Sequence, residues 1–492
     1  MKAAFHTLGC RVNSYETQAI KEQFFALGFE EAAFDEAADV YVVNTCSVTQ
    51  VAERKSRQML HRARKLSPDA VIAATGCYVQ EAAESLIQDG TVDIIAGNNE
   101  KSTLAFTVQK YLEAARAAHQ KAAETDRKSP EEKRKEKLCT SREERTSKEV
   151  QEPPGSSSVT AAETKKRDAK AGREAAMPDL TRCREYEEQK ISSAGGHVRA
   201  YIKIQDGCDR FCSYCIIPYL RGRSRSRRSG DIISEAAALA KNGYKEIIIT
   251  GIDISDFKAD AFEKGAQSLL FIIEEISKIC GIKRIRLGSL ECGVITAPFL
   301  SGLSRVPSFC AQFHLSLQSG SDGVLKRMNR RYTSKEYLEK VQLIRNYFPE
   351  AAITTDIIAG FPAESEAEFE ETCAFVKKVN FSRAHVFRYS KRKGTKAAAM
   401  QGQLAGDIKA RRCEKLIRIT DTLRHEYEAG FIGKSAPVLF EEKTPDGFQV
   451  GFTPEYVKVA VRADENLVNS IENVSVKGFV NTQEGEMLFA KL

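Results

Sequence analysis

Gly207-Cys208-Asp209-Arg210-Phe211-Cys212-Ser213-Tyr214-Cys215 sets three cysteines at the spacing C-x3-C-x2-C, close enough for their thiolates to enter one small volume. Soft thiolates select iron–sulfur clusters, zinc or copper(I), and a closed structural site normally takes four protein ligands. No fourth cysteine stands nearby in the sequence. Three thiolates on a [4Fe–4S] core leave one iron open to an outside ligand, which suits chemistry better than electron storage. A zinc knuckle completed by a distant ligand, or three half-buried core thiols, are the other readings of this spacing.

Outward from this motif the chain alternates strands and helices. Strand candidates are Tyr201 to Gln205, Glu246 to Gly251, Arg284 to Ser289, Phe313 to Gln318, Ala352 to Ala359 and Ala384 to Tyr389, with helical periodicity between them. Six β/α units are too few for a closed eight-stranded barrel and fit a partial one, whose reactive end lies at the carboxyl ends of the strands. The cysteine motif follows the first of these strands. Polar and glycine-rich stretches at Thr250 to Asp253, Ser289 to Glu291, Ser316 to Ser321 and Asp356 to Pro362 fall on the same rim, where the alternative reading is loop punctuation.

Upstream, from Met1 to about Ala114, short apolar runs again alternate with helical stretches, which predicts an open, mainly parallel α/β sheet. Cys10, Cys46 and Cys77 each follow directly on a strand candidate. Ligands gather outside the carboxyl ends of the strands in such a sheet, so the three thiols share one rim and form a second candidate metal centre. Each taken alone also reads as a core thiol. Gly9 and Gly76 precede two of them, which allows a tight turn where a bulky inorganic group approaches.

Between the two units, from about Arg116 to Gly196, the chain is rich in Glu, Lys, Arg, Ala and Ser, with the breaker run Pro153-Pro154-Gly155-Ser156-Ser157-Ser158. Few large apolar residues are present to offset ordering entropy, so a disordered or partly helical linker is expected. The whole chain of 492 residues carries 74 Lys and Arg against 67 Asp and Glu, a net +7 that matters less than where the charge clusters. Neither a secretory signal nor a membrane-spanning apolar run is present, so a cytoplasmic protein with no membrane association is expected. Its 13 cysteines then read as ligands or buried thiols, with no disulfide partners.

Positive charge clusters after the motif. Arg221, Arg223, Arg225, Arg227 and Arg228 lie in one short stretch, Lys326, Arg327, Arg330 and Arg331 in another, and Lys391, Arg392 and Lys393 in a third. Guanidinium forks match phosphate oxygens, so an anionic partner such as RNA is expected on this rim, with Arg221, Arg223, Arg225, Arg227, Arg330 and Arg331 as contacts. From about Gly433 short alternating strands separated by turn residues suggest a small antiparallel β-barrel, a common oligonucleotide-binding shape.

The central motif resembles that of the radical S-adenosylmethionine (SAM) enzymes, with Tyr214 in the aromatic slot before the last cysteine. TLGCRVNSYET, VNTCSVT and TGCYVQ resemble the three cysteine motifs of the methylthiotransferases, and the terminal strands resemble their TRAM domain. The resemblance implies an amino-terminal domain with an auxiliary cluster over residues 1–115 and a linker over 116–196. It further implies a radical-SAM partial (β/α)6 barrel over 197–430 and a TRAM-like RNA-binding barrel over 431–492. Cys208, Cys212 and Cys215 would hold a catalytic [4Fe–4S] cluster with SAM at its open iron, and Cys10, Cys46 and Cys77 a second [4Fe–4S] cluster carrying transferable sulfur. SAM contacts would fall at Glu291, Gln318 and Gly360, while Ala363 and Asp253 depart from the common family residues.

IIPYLRGRSRSR and FRYSKRKGT are similar to the subgroup acting on tRNA that bears N6-threonylcarbamoyladenosine at position 37, next to the anticodon. There a methylthio group replaces hydrogen on adenine C2, with an electron donor such as flavodoxin. The alternatives are a methylthiotransferase acting on isopentenyladenosine tRNA or a ribosomal-protein aspartate, and a non-catalytic iron–sulfur RNA-binding protein.

Overall fold

Fully apolar runs such as Val40-Tyr41-Val42-Val43 suit strands buried on both faces. They build a five-stranded parallel sheet in the order β2-β1-β3-β4-β5, from β1 (Lys2–Thr7), β2 (Glu30–Ala32), β3 (Val40–Thr45), β4 (Val71–Gly76) and β5 (Ile94–Ala96). Helices α1 (Arg11–Ala26), α2 (Gln50–Leu66), α3 (Cys77–Gln88) and α4 (Leu104–Arg127) connect the strands or follow the last. Val40 and Val42 join one apolar layer, Tyr41 and Val43 the other. The short polar edge strand β2 carried no strand signal in the sequence.

This computed structural model describes residues 1–127, 177, 180, 182–260, 262 and 264–492. Of the expected linker, α4 occupies the first part as far as Arg127, and residues 128–176, with Cys139 and the proline run, lie outside the described residues. Its last part is built into the fold. The Tyr15 hydroxyl donates to Gln189 O (2.6 Å), Ile191 N–H to Glu235, and Ser192 N–H to Glu22, lacing α1 to the barrel. Ile191 and Ala194 are buried in the barrel core beside Tyr15 and Ala19 of α1.

The central unit has β6 (Arg199–Asp206), β7 (Arg225–Ser226), β8 (Glu246–Gly251), β9 (Arg284–Leu287), β10 (Ser289–Leu290), β11 (Gln312–Leu315), β12 (Ala352–Ala359) and β13 (Arg383–Arg388). They form sheets β7-β6-β8-β9 and β10-β11-β12-β13. One residue, Gly288, separates β9 from β10, so that segment passes from one sheet to the other, and an Ile285–Phe309 bridge joins them further. The parallel strands are those of a partial (β/α)6 barrel, with β7 an antiparallel addition.

After the long helix Gly406–Ala429 come β14 (Ser435–Lys443), β15 (Gln449–Phe452), β16 (Lys458–Val461), β17 (Ile471–Thr482) and β18 (Gly485–Lys491). They close a barrel in the order β14-β15-β16-β18-β17, antiparallel except where β16 meets β18. It docks under the amino ends of the central strands. Arg284 donates to Pro437 O and Phe452 O, and Arg286 to Pro454 O, with Glu246 accepting from Arg286 (2.9 Å). Among the described residues no helix is long and apolar enough to cross a membrane.

Candidate functional site

The cysteine loop after β6 is held by backbone contacts to the far side of the barrel. Ser213 N–H donates to Met328 O (3.0 Å), Ala397 N–H to Ser213 O (2.7 Å), and Asn329 Nδ2 to Phe211 O (3.0 Å). Arg330 is buried beside it, its Nη1 at 3.2 Å from Cys212 Sγ and its Nη2 paired with Glu291 (2.6 Å). Burial, then the neighbouring Cys212, pushes the Cys215 thiol up to about 12. Burial also pushes Cys208 up. Such thiols ionise when a metal supplies the compensating charge.

Cys10 precedes α1, Cys46 follows β3, and Cys77 opens α3 after β4. They stand at the carboxyl edge beside the β1/β3 switch point of the sheet. Gly9 (φ +105°) and Gly76 (φ +96°) need to be glycine, but the crowding comes from the loops themselves. A Cβ at Gly9 would lie 2.8 Å from Cys46 Sγ, and one at Gly76 2.3 Å from Thr45 O. Burial, then Cys77, pushes Cys46 up to about 12. All cysteines among the described residues are free thiols, and none of their groups is arranged to close on a single metal ion. Ligands to separate irons of a larger core have no need to close so tightly.

A chamber of about 440 Å³ lies between the two sets, with Cys77, Cys208 and Cys212 outside its lining. Cys10 and Cys46, with Gly9, Val48 and Thr49, line one wall, and Cys215, Tyr214, Ile216, Ile217, Gln318, Asp356, Ile358 and Phe387 to Ser390 line the other. The walls are mostly apolar, which excludes water from whatever reacts inside. Of the residues expected to contact SAM, Gln318 (φ +69°) reaches the chamber. Glu291 is committed to Arg330, and Gly360 donates its N–H to Glu364 (2.8 Å) outside the lining.

Buried charge welds the two walls together. Glu16 on α1 accepts from Lys101 (2.7 Å), Lys203 (2.7 Å) and Arg221 (2.8 Å), and Asp206 from Lys203 (2.6 Å) and Arg221 (3.0 Å). Burial opposes ionisation of Glu16, but Arg221, Lys101 and Lys203 outweigh it and hold the carboxyl well below the usual range. Asn13 accepts from Arg221 (2.8 Å) and also meets Cys10 Sγ (3.9 Å). Asn98 accepts from Lys101 (2.8 Å) and points its amide at Cys77 Sγ (3.9 Å). Three buried cations thus face two carboxylates next to Cys10 and Cys77. The excess positive charge, the Asn98 amide donor and the thiol set fit an anionic iron–sulfur core. Across the chamber Arg392 pairs with Glu53 and Glu81 (2.9 and 2.8 Å), a second clasp.

The arginines expected to meet RNA are corrected by these contacts. Arg221 is spent on Glu16 and Asp206, Arg227 on Glu188 and Glu235, and Arg225 donates to Arg221 O (2.8 Å); all three are buried. Arg330 is buried against Glu291 and Cys212, not on an RNA surface. A guanidinium out of water needs a partner, and three of the carboxylates that supply it, Glu16, Glu188 and Glu291, stand 39 or more residues away. Arg223 and Arg331 remain exposed. Sequence reasoning missed Glu16, Lys101, Asn98 and Lys203; only Lys203, a charged residue between Ile202 and Ile204 in β6, carried a local signal.

Residues 2–97 match the family described as uncharacterized protein family UPF0004, and residues 202–376 match the radical SAM superfamily. The threonylcarbamoyladenosine tRNA methylthiotransferase MtaB of Bacillus subtilis is 35% identical over 96% of this chain and 93% of its own length. That of Aquifex aeolicus is 34% identical over 90% and 93%. The tRNA-2-methylthio-N(6)-dimethylallyladenosine synthase of Acetivibrio thermocellus is 30% identical over 96% and 87%. Among solved structures, the radical S-adenosylmethionine methyltransferase TsrM of Kitasatospora setae aligns with a TM-score of 0.49 at 13% identity, covering 81% of this chain and 74% of that one. With full-length relatives at this identity and both cysteine motifs in place, the chain belongs to the radical-SAM methylthiotransferase family.

Proposed function

We propose that the chain adds a methylthio group to adenine C2 of N6-threonylcarbamoyladenosine in tRNA, giving 2-methylthio-N6-threonylcarbamoyladenosine. The observation that carries this reading is the single chamber lined by Cys10 and Cys46 of one set and Cys215 of the other. An aromatic C–H offers no acidic proton, so a positioned base cannot start the reaction and cofactors must. Cys208, Cys212 and Cys215 would hold one [4Fe–4S] cluster, and Cys10, Cys46 and Cys77 a second. When bound, the first supplies the electron that cleaves SAM reductively, and the second supplies sulfur.

The chain's own residues bind, orient and exclude water. Arg330 and Glu291 fix Cys212, and the Glu16 cluster fixes the opposite wall. Ile216, Ile217, Ile358 and Phe387 keep the chamber dry, while Gln318 and Asp356 offer polar contacts to SAM or the nucleoside. The choice of threonylcarbamoyladenosine rests on identity, 31–35% to four relatives named for it against 27–30% to those named for dimethylallyladenosine. A low-potential donor such as reduced flavodoxin and a cytoplasmic location follow from this reading.

The test is anaerobic preparation of the protein and its Cys212→Ala and Cys46→Ala variants. Each variant should lose about half the iron of the parent, and neither should restore the modified nucleoside in tRNA of a strain lacking the gene. Cys212→Ala should also lose SAM cleavage, whereas Cys46→Ala keeps it. Unchanged tRNA nucleosides on deletion of the gene would overturn the substrate; full iron in either variant would overturn the cluster assignment.

A further inference from the structure

With Arg221, Arg225 and Arg227 buried and only Arg223 and Arg228 of that run exposed, further RNA-facing charge has to be supplied from elsewhere. Helix α2 is the strongest candidate. It carries Arg54, Lys55, Arg57, Arg62, Arg64 and Lys65 against one acid, Glu53. Its buried side is Ser56, Leu60 and Ala63, so at 100° per residue Arg54, Lys65 and Arg62 look outward, and all three are exposed. Glu53 is already taken by Arg392 and Arg57. Arg54, Lys55, Arg62 and Lys65 have no carboxylate partner among the described residues.

Position gives the charge a use. Val48 and Thr49, just before α2, line the chamber, and Gln50 N–H donates to Ser390 Oγ (3.1 Å) in the loop after β13. In that loop Lys391 and Lys393 flank the buried Arg392 and are themselves exposed. Beside the seam where the two elements meet, the mouth shows large apolar side chains, Val48 at 49%, Val51 at 53% and Phe387 at 47% exposure. Cationic flanks around an apolar mouth match a nucleic acid strand whose phosphates lie outside while one base enters. The small terminal barrel has the opposite charge balance, nine acidic against six basic side chains over residues 431–492.

We propose that the exposed face of α2, together with Lys391 and Lys393, is the surface that holds the RNA phosphate backbone and presents one nucleotide to the chamber. This rests on the tRNA reading above and adds where the RNA lies. The experiment compares binding of an in vitro transcribed tRNA and its anticodon stem-loop, across a salt series, by three proteins. These are the parent, the fourfold variant Arg54→Ser/Lys55→Ser/Lys391→Ser/Lys393→Ser, and a control, Lys443→Ser/Lys477→Ser/Lys491→Ser, on the terminal barrel.

Each single-strand phosphate contact adds about 0.7 to the salt slope, or about fivefold in affinity at 0.1 M salt, so losing three of four costs about 100-fold. The fourfold variant should show that loss and a slope smaller by about two to three, with the control unchanged and both melting as the parent does. Parental affinity and slope in the fourfold variant would overturn the surface while leaving the tRNA reading intact, as would a loss confined to the control. Absence of RNA binding by the parent, or capture of a protein substrate instead, would overturn both.

Discussion

Replacing Glu16 with Gln keeps the side chain's shape and removes one charge from the buried cluster. Lys101, Lys203 and Arg221 all lie within 2.8 Å of that carboxylate; without it Lys203 and Arg221 would share Asp206 and Lys101 would keep only the Asn98 oxygen. Removing one partner of a buried pair costs about 3–5 kcal/mol, and a carboxylate shared by three cations belongs at the top of that range. With a urea slope of about 2.5 kcal/mol/M, a loss of about 5 kcal/mol lowers the midpoint by about 2 M. Urea unfolding followed by circular dichroism, with hydrogen exchange assigning the melt to α1 and β6, measures it. Glu31→Gln, which breaks the surface pair with Lys21, should cost less than about 1 kcal/mol. Adding Lys101→Met to Glu16→Gln removes a stranded cation, so the double variant should be at least about 1 kcal/mol more stable than the sum of the singles. A Glu16→Gln protein no weaker than Glu31→Gln, or strict additivity in the double variant, would refute the coupled cluster.

Three further outcomes follow from single contacts. Burial opposes ionisation of Glu246, but Arg286 outweighs it and holds the folded carboxyl below its unfolded value. Its contribution is therefore complete above pH ~4.3 and is lost as pH falls through the lower folded value, a loss that Glu246→Gln should not show in acid titration of terminal-barrel docking. Arg330→Met removes a cationic donor 3.2 Å from Cys212 Sγ and should make the reduction potential of the first core more negative in a spectroelectrochemical titration. Phe387→Ala at the mouth should weaken RNA binding by about 1–3 kcal/mol, read as a raised KM with kcat less affected, if the ring stacks on a base.

Much of the architecture was legible because its signals are local. The alternation of apolar strand and amphipathic helix placed the strands β1, β3, β4 and β5 and the parallel strands of the barrel, with β9 and β10 read as one strand, and Cys10, Cys46, Cys77 and the Cys208 loop followed strands as read. What escaped were features set by partners far along the chain. Arg221 reads as a surface arginine until Glu16, 205 residues away, is seen to accept its guanidinium. Residues 186–194 read as linker because their few apolar side chains, Tyr186 and Ile191 among them, gain burial only between two domains. Gly9 and Gly76 were recognised as special, but the bodies crowding them are Cys46 and the backbone of Thr45. The basic face of α2 is spread at helical spacing over Arg54, Lys55, Arg62 and Lys65, so no continuous run of charge marks it in the sequence.

The placement of the terminal barrel then constrains how RNA approaches. It contacts Arg284 and Arg286 near the amino ends of the central strands, while both cysteine sets lie at the carboxyl ends. An RNA touching both would run along the barrel wall for about 26 Å, the rise of the eight residues of β12. The two clasps pin the chamber walls, the second of them joining α2 to the loop after β13, so a base approaches past the exposed Val48, Val51 and Phe387 beside that seam. Catalysis by two separately held groups demands that their distance stay fixed while a substrate enters and leaves. Buried pairs on one flank and the Arg392 pairs on the other meet that demand, so the chamber admits RNA without the walls parting. Selection among RNAs accordingly falls to the rim, where the charge is unpaired and the apolar side chains are exposed.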